Sequence, residues 1–254
     1  MYAWLDSAVP RLNREYLEAK PFPHIVLHGL LDPQKIQTLV QEFPEESNGK
    51  WWKYENILEK KLARNDLHHL PVSIRNVIHE FQEHRFVTLI EKITGIPALI
   101  VDHTLNGAGL HQIVRGGKLD VHADYNFHPI TGLDRRVNVL LYLNPDWKPG
   151  WNGSLELWNR DMTECVKSIS PELNTIVIFG TTDQAFHGHP DPLQCPPGQS
   201  RKSIALYYYT NGRPSHERSL PHSTVFKRRP QDPLTEEHEE LRRARARKRI
   251  GDST

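Results

Sequence analysis

From about Ala98 onward the chain is cut into short β-prone runs by Gly, Pro, Asn and Asp, and this punctuation constrains the fold more than any other feature. The runs fall at 98–102, 110–115, 118–122, 136–144, 154–159, 164–169, 175–179, 184–188 and 202–210. Many short strands at such spacing predict a β-sandwich or barrel. The first hundred residues read mainly as helix. Asp32 is placed to cap a helix from about Pro33 to Phe43, with Ile36, Leu39, Val40 and Phe43 on one face. A second helical run starts near Val72. Its apolar Ile74, Val77, Ile78, Phe81, Phe86, Leu89, Ile90 and Ile93 fit a helical period that ends at Gly95. The polar stretch between the two, with Trp51, Trp52 and Tyr54, has no assignment. Helices first and strands afterwards predict an α+β chain, a double-sheet jelly roll with supporting helices on one side. After Arg213 the composition turns polar, and 235–248 read as one exposed, charged helix. The expected division is a helical region over 1–97, a jelly-roll core over 98–212 and a polar extension over 213–254.

Charge and composition narrow the function classes. The net charge is +1, so the chain as a whole makes no electrostatic case for nucleic acid. The charge is uneven, however: Leu241–Arg249, LRRARARKR, is strongly basic and could meet nucleic acid or an acidic surface. No run approaches the roughly 18 apolar residues of a membrane span. The start, MYAWLDSAVPRLNREYLEAK, lacks the apolar centre of a secretory signal. Two cysteines, Cys165 and Cys195, make neither a disulfide framework nor a Cys-rich zinc site, and a reducing cytoplasm is the expected compartment.

The chemistry concentrates in QIVRGGKLDVHAD, Gln112 to Asp124. It reads as a strand, a turn at Gly116-Gly117, and a second strand ending in His122-Ala123-Asp124. Residues i and i+2 of a strand face the same side, so the His122 imidazole and the Asp124 carboxylate can share a cavity. A third ligand must come from elsewhere, and His187 ends another predicted strand 63 residues later. Two histidines and one carboxylate form the facial triad of non-haem Fe(II) oxygenases, whose open face takes a bidentate keto acid and O2. H-x-D alone is a weak signal. It recurs as His189-Pro190-Asp191, where Pro190 opposes strand pairing and favours a surface turn. Downstream, Arg201 opens the strand RKSIALYYYT 14 residues after His187. An arginine there can pair bidentately with the far carboxylate of a dicarboxylic acid. Ser203, on the same face, can add a hydroxyl.

In order, the chain carries H-x-D, RRVNVLLYLNPDW (Arg135 to Trp147), NGSLELW (Asn152 to Trp158), a strand into FHG, and R-x-S. That ordered set, over roughly residues 98 to 210, resembles the prolyl-4-hydroxylase-like 2-oxoglutarate/Fe(II) dioxygenases. The opening PFPHIVLHGLLDPQKIQTLVQEFP is similar to the lead-in of bacterial members. The resemblance implies a double-stranded β-helix (jelly roll) with iron at its open end. It implies His122, Asp124 and His187 as iron ligands, Arg201 as the partner of the distal 2-oxoglutarate carboxylate, and Tyr142 as a hydroxyl on that same carboxylate. Gln112, on the strand leading to the H-x-D, and Asn138, four residues before Tyr142, are expected to line the co-substrate pocket. The chain departs from the family at Asn152-Gly153-Ser154, where Gly-Gly is usual; only a turn is expected to change. The longer Pro-rich loop HPDPLQCPPGQ makes the register of Arg201 less secure. Asp124 is retained, where a small residue would open a halide site, so hydroxylation is implied rather than halogenation.

The implied activity is hydroxylation of an unactivated C–H bond, with 2-oxoglutarate and O2 consumed, succinate and CO2 released, and ascorbate as a reductant. The expected prime substrate is a small molecule of amino-acid, sugar or natural-product type; a prolyl or other protein side chain is the alternative. A non-catalytic jelly-roll binding module is a reading of another class. A zinc hydrolase could use the same three ligands but would leave Arg201 and Tyr142 unexplained. By position, Asn126, His128, Arg135 and Asp183 are the substrate-side candidates, with Asp134 and Arg136 beside them; each has a plainer reading as a turn residue or solvated charge. Trp147, Trp151 and Trp158 read either as the rim of a substrate mouth or as packing.

Overall fold

The computed structural model describes residues 3–48 and 50–247. In chain order its elements are α1 (Ala3–Glu18), β1 (His24–His28), α2 (Pro33–Gln41), β2 (Trp52–Glu55), β3 (Glu59–Arg64), α3 (Val72–Gln82), α4 (His84–Thr94), β4 (Ile100–Val101), β5 (Gly109–Val114), β6 (Lys118–Ala123), β7 (Asp134–Tyr142), β8 (Leu155–Trp158), β9 (Cys165–Ile169), β10 (Thr175–Gly180), β11 (His187–His189), β12 (Ser200–Thr210), β13 (Val225–Phe226) and α5 (Glu236–Arg247). No described helix is long and apolar enough to cross a membrane.

The strands form one curled antiparallel path, β1-β10-β7-β12-β5-β3-β6-β11-β8-β9, the double-stranded β-helix that the resemblance implies. Alternation along each strand sorts its side chains. On β7, β10 and β12, Val137, Val139, Leu141, Ile176, Ile178, Ile204, Leu206 and Tyr208 join the helices in one large core. The opposite face of the same strands carries Tyr142, Val177 and Phe179, which meet Leu155 and Leu157 of β8 across the fold. The site lies on that inner side.

Helix ends follow their local chemistry. Asp32 caps α2 by accepting from the Lys35 amide at 2.9 Å, with Pro33 at the first helical position. Gly95 closes α4 at φ 71°. The single helical run expected over 72–95 is two helices, broken where Glu83 turns extended (ψ 149°). The cause is a slip in the apolar stripe: Phe81 and Phe86 are five apart, a spacing off one helix face. The break brings their rings into a stack at 4.3 Å.

Three strands lie in the segment read mainly as helix. β1 pairs with β10, and the unassigned tryptophan stretch forms the β2–β3 hairpin. β3 enters between β5 and β6 and hydrogen-bonds to both. Gly117 makes this possible, because a Cβ there would sit 2.7 Å from the Lys60 carbonyl. The lysine-rich composition of β3 hid it from periodicity arguments.

The C-terminal helix is also corrected. It was expected exposed, yet α5 docks on the β3/β6 side. Arg242 is buried against Asp120 (3.5 Å) and Glu239, and Arg245 pairs with buried Glu59 at 2.6 Å. Lys248 and Arg249, the end of the basic run, lie outside the described residues.

Candidate active site

His122 sits near the end of β6, Asp124 two residues on, and His187 opens β11 directly opposite His122 in the ladder. Cross-strand pairing therefore joins residues 65 apart in sequence. One donor atom from each of the three lies within 4.8 Å of the other two, a spacing that can hold a metal ion; no fourth side chain joins them among the described residues. Each imidazole is oriented by its own backbone: His122 Nδ1 bonds the Asp120 carbonyl and His187 Nδ1 the Ala185 carbonyl, both at 2.8 Å. An Nδ1–H donor leaves the Nε2 lone pair free, and both Nε2 atoms lie 3.5 Å from Asp124. Burial drives the His187 pKa down to about 4, so the imidazole is neutral, as a metal ligand must be.

Asp124 is held from behind. Its Oδ2 accepts from Asn138 Nδ2 (2.7 Å) and pairs with Arg135 (3.0 Å). Asn138 Oδ1 in turn accepts two bonds from Arg135, at 2.8 and 3.0 Å. Burial alone would raise the Asp124 carboxyl, but Arg135 and the two histidines hold it well below the usual carboxylate range. Arg135 is 1% exposed and stacks on Tyr207 (3.4 Å) and Tyr125 (4.5 Å). So Asn138 meets the carboxylate of the triad, whereas it was expected beside Tyr142. Arg135 is a buried counter-ion rather than a solvated charge or an open substrate contact.

Arg201 lies further in, 4% exposed. Its Nε donates to the Gly153 carbonyl at 2.7 Å and a terminal nitrogen to the Tyr142 hydroxyl at 3.1 Å. No carboxylate pairs with it among the described residues, an unusual state for a buried guanidinium. Ser203 pairs with Tyr142 in the β12–β7 ladder and shares Arg201's face. The unusual Asn152-Gly153 turn thus matters. Gly153 (φ 82°) presents its carbonyl to Arg201, and a Cβ there would crowd Leu193. Trp147 and Trp151 pack edge to face at 5.3 Å beside Ile113 and Leu193, and Trp158 is buried in another cluster, so Trp147 and Trp158 serve as packing.

Gln112 is the clearest correction. It pairs with Lys202 while its neighbour Ile113 pairs with Arg201, so strand alternation turns it to the outer face, where it donates to Ser200 at 2.8 Å. The polar residue that shares the inward face with Ile113 is His111, opposite Ser203, which the sequence reading missed. The second H-x-D is split. His189 is buried, whereas Asp191 is half-exposed and pairs with Arg229 at 2.8 Å.

The remaining substrate-side candidates tie down loops. Asn126 donates to Ser219 and the Leu220 carbonyl and accepts from the His222 amide, pinning the segment after β12 against the chain just past Asp124. Asp183 accepts from Ser219 and bonds His222 at 2.9 Å. Buried His128 meets Asp102 and receives the Ile130 and Thr131 amides. Asp134 pairs with Arg213 and Arg136 with Glu217.

The latch on that strap should respond to pH. Burial would lower the His222 pKa, but its bonds to Asp183 and the Ser223 carbonyl outweigh this and the repulsion of Arg213, and raise it. The His222 contribution is therefore full below the ordinary imidazole value of about 6.5 and is lost as pH rises through the higher folded value. Amide exchange of residues 219–223, corrected for its intrinsic pH dependence, should show weaker protection at pH 8.5 than at pH 6. H222Q should flatten that difference, and an unchanged difference in H222Q would refute the latch.

The surroundings of the three donors and of Arg201 point one way, and comparison with known proteins decides it. Residues 108–209 match the family model described as the 2OG-Fe(II) oxygenase superfamily. That segment, from β5 to the end of β12, resembles the superfamily and contains His122, Asp124, His187 and Arg201. A Xenopus laevis protein named prolyl 3-hydroxylase OGFOD1 is 26% identical over 233 residues, which are 88% of this chain and 42% of that protein. The chain thus spans less than half the length of that relative. Among solved structures, a Pseudomonas putida prolyl-4-hydroxylase aligns with TM-score 0.57 at 14% identity, covering 80% of this chain and all of that one. A Trichoplax adhaerens prolyl hydroxylase, solved with a hypoxia-inducible-factor peptide fragment, aligns with TM-score 0.56 at 17% identity, over 82% of this chain and 93% of that one.

Both cofactors that the matching family description names fit the residues present. The oriented pair of Nε2 atoms and one carboxylate suit Fe(II). The buried guanidinium without a protein counter-ion suits the distal carboxylate of 2-oxoglutarate.

Proposed function

We propose that the chain is an Fe(II)/2-oxoglutarate-dependent hydroxylase in which His122, Asp124 and His187 hold the metal and Arg201, with Tyr142 and Ser203, holds the co-substrate. The observation that carries this is the pairing of a pre-oriented three-donor cluster with a buried, carboxylate-free arginine on the same inner face. A binding module would need the first but not the second. Bound together with O2, the two cofactors supply the oxidation of an unactivated C–H bond, with succinate and CO2 released. The chain does the rest. The backbone carbonyls of Asp120 and Ala185 fix the tautomer and ring plane of both histidines. Asn138 and Arg135 take up Asp124 Oδ2 and leave Oδ1 toward His122. The Gly153 carbonyl and Tyr142 hydroxyl fix the guanidinium fork, so the dicarboxylate meets a preset partner. Phe179 and Phe226 flank His187 and His122 at 4.7 and 5.6 Å and help keep water from that side.

For the prime substrate, we infer a prolyl residue of a polypeptide in place of the small molecule expected from sequence. Support comes from the names of the relatives and from two exposed apolar side chains, Leu220 (86% exposed) and Ile130 (79% exposed), on segments pinned by Asn126 and His128, which closely follow Asp124 in the chain. The test is 2-oxoglutarate-dependent succinate release with Fe(II) and ascorbate, run against prolyl peptides and a panel of amino acids and sugars. Stimulation by peptides alone supports this reading. Stimulation by a small molecule alone overturns the substrate assignment, and no succinate under any condition overturns the enzyme. R201M should raise the 2-oxoglutarate Kd by at least about 10-fold, the loss of a charged bidentate pair, with metal affinity kept.

A further inference from the structure

Turned away from the three metal donors, Gln112 lines a second cavity for which the reaction has no use. Gln112 and Lys202 are ladder partners, as are Val114 and Ser200, so these four side chains share the outer face of β5 and β12, opposite to Ile113 and Arg201. They floor a groove of about 990 Å³, within the roughly 300–1,000 Å³ of small-molecule sites. Its walls come from the stretch between α2 and β2 and from the Pro-rich loop after β11. Gln112 is 4% exposed. Its amide nitrogen donates to Ser200 at 2.8 Å, and its amide oxygen has no partner among the described residues. A buried polar atom left unpaired is costly, and native folds keep one where something else completes it. Lys53, Arg115 and Lys202 line the same groove. Arg115 is held by the Gln194 and Cys195 carbonyls at 3.1 and 2.7 Å, and Lys202 lies over the Phe43 ring at 5.3 Å; neither meets a carboxylate within ion-pair distance among the described residues. Trp51, Val114 and Pro197 give the groove an apolar side, and two exposed carboxylates, Glu45 and Glu46, stand beside it.

We propose that this groove is a second ligand site, separate from the metal centre, for a small organic acid that also carries an N–H or O–H donor and an apolar group. The carboxylate meets Lys202 and Arg115, the donor completes the Gln112 oxygen, and the apolar group lies against Trp51 and Pro197. An amino acid and a hydroxy acid share this chemistry. Glu45 and Glu46 favour an ammonium as the donor and oppose a ligand that is anionic throughout. The site draws on neither the metal nor Arg201, so it stands whether or not the inner pocket holds 2-oxoglutarate.

The test is calorimetric binding of hydrocinnamate, phenyllactate and phenylalanine to the full chain. The three probes differ only in carrying a hydrogen, a hydroxyl or an ammonium group beside the carboxylate. Each is measured with Mn(II) and 2-oxoglutarate present, without O2, and again without either. Both donor-bearing probes should bind about fivefold more tightly than hydrocinnamate, the gain from one hydrogen bond. Phenylalanine ahead of phenyllactate names an ammonium as the donor, and the reverse order a hydroxyl; both support the site. Q112L keeps a side chain of similar size and removes the acceptor. It should abolish the preference while leaving the hydrocinnamate Kd within about twofold of wild type. K202M should weaken all three probes about threefold. A preference that survives in Q112L overturns the proposal, as does the absence of binding at millimolar concentration. If Q112L loses every probe, K202M decides, and unchanged binding there overturns the site. Binding that vanishes once 2-oxoglutarate is bound assigns the probes to the inner pocket and removes the second site. Displacement of phenyllactate by an equal concentration of inorganic phosphate would mark a bare cationic patch and overturn it too.

Discussion

The H187A variant is expected to bind Fe(II) or Mn(II) more than about 100-fold more weakly and to release succinate at the rate of buffer alone. Changing a group that merely orients a ligand costs about 10–100-fold, and His187 supplies the donor atom itself. No other described His, Cys, Asp or Glu joins the cluster, so no spare donor can take its place. The loss should not come from unfolding. The ring packs between His122 and Phe179, at 4.5 and 4.7 Å, and truncation leaves a small polar gap beside a β-ladder that keeps its backbone bonds. D191N is the control from the competing H-x-D. Its carboxylate faces Arg229 and solvent, and metal affinity should stay at the wild-type level. Full succinate turnover in H187A would falsify the triad.

The second large effect is on stability. R135M should cost the metal-free protein about 3–5 kcal/mol, the range for stripping one partner from a buried ion pair. Asp124 would keep only Asn138, and the faces of Tyr125 and Tyr207 would lose their cation. A divalent ion placed against Asp124 supplies the missing charge, so the deficit should shrink in excess Mn(II). Urea unfolding at neutral pH, in EDTA and in Mn(II), reads both quantities. An identical loss in the two conditions would assign Arg135 to packing and sever it from the carboxylate.

How much of this was legible in the sequence depends on what kind of signal each residue leaves. Turn chemistry repeated at short intervals marked a β-sandwich or barrel, the resemblance narrowed it to the double-stranded β-helix, and the β5–β6 turn sits at Gly116-Gly117 as expected. His122, Asp124 and His187, which the ladder brings together, were named from the ordered motifs of the family resemblance, because H-x-D alone recurs at His189–Asp191 and carries little weight. Gln112 failed by one register step: a strand shifted by one residue turns every side chain over, and no local signal fixed that register. Asn138 was placed on the correct face, but its partner depends on Arg135, whose burial among tyrosines no charge count could reveal. The β2–β3 hairpin left no trace because Lys60 and Lys61 spoil the alternation. Lys60 is exposed and Lys61 is half-buried with its ammonium on Glu59, so neither position needs an apolar residue.

The placement of β3 changes what counts as the smallest working unit. A chain begun at Ala98 would hold every expected iron and 2-oxoglutarate partner, yet its two sheets would part between β5 and β6. Both strands would then present rows of unpaired amides and carbonyls, the kind of edge that recruits strands from other molecules. The N-terminal hairpin acts as a zipper for the barrel. The reaction chamber exists only after a strand from before residue 65 has threaded between two that follow residue 108. Because that pairing joins distant parts of the chain, it should be among the slow steps of folding, and the empty pocket is then the last thing the molecule builds.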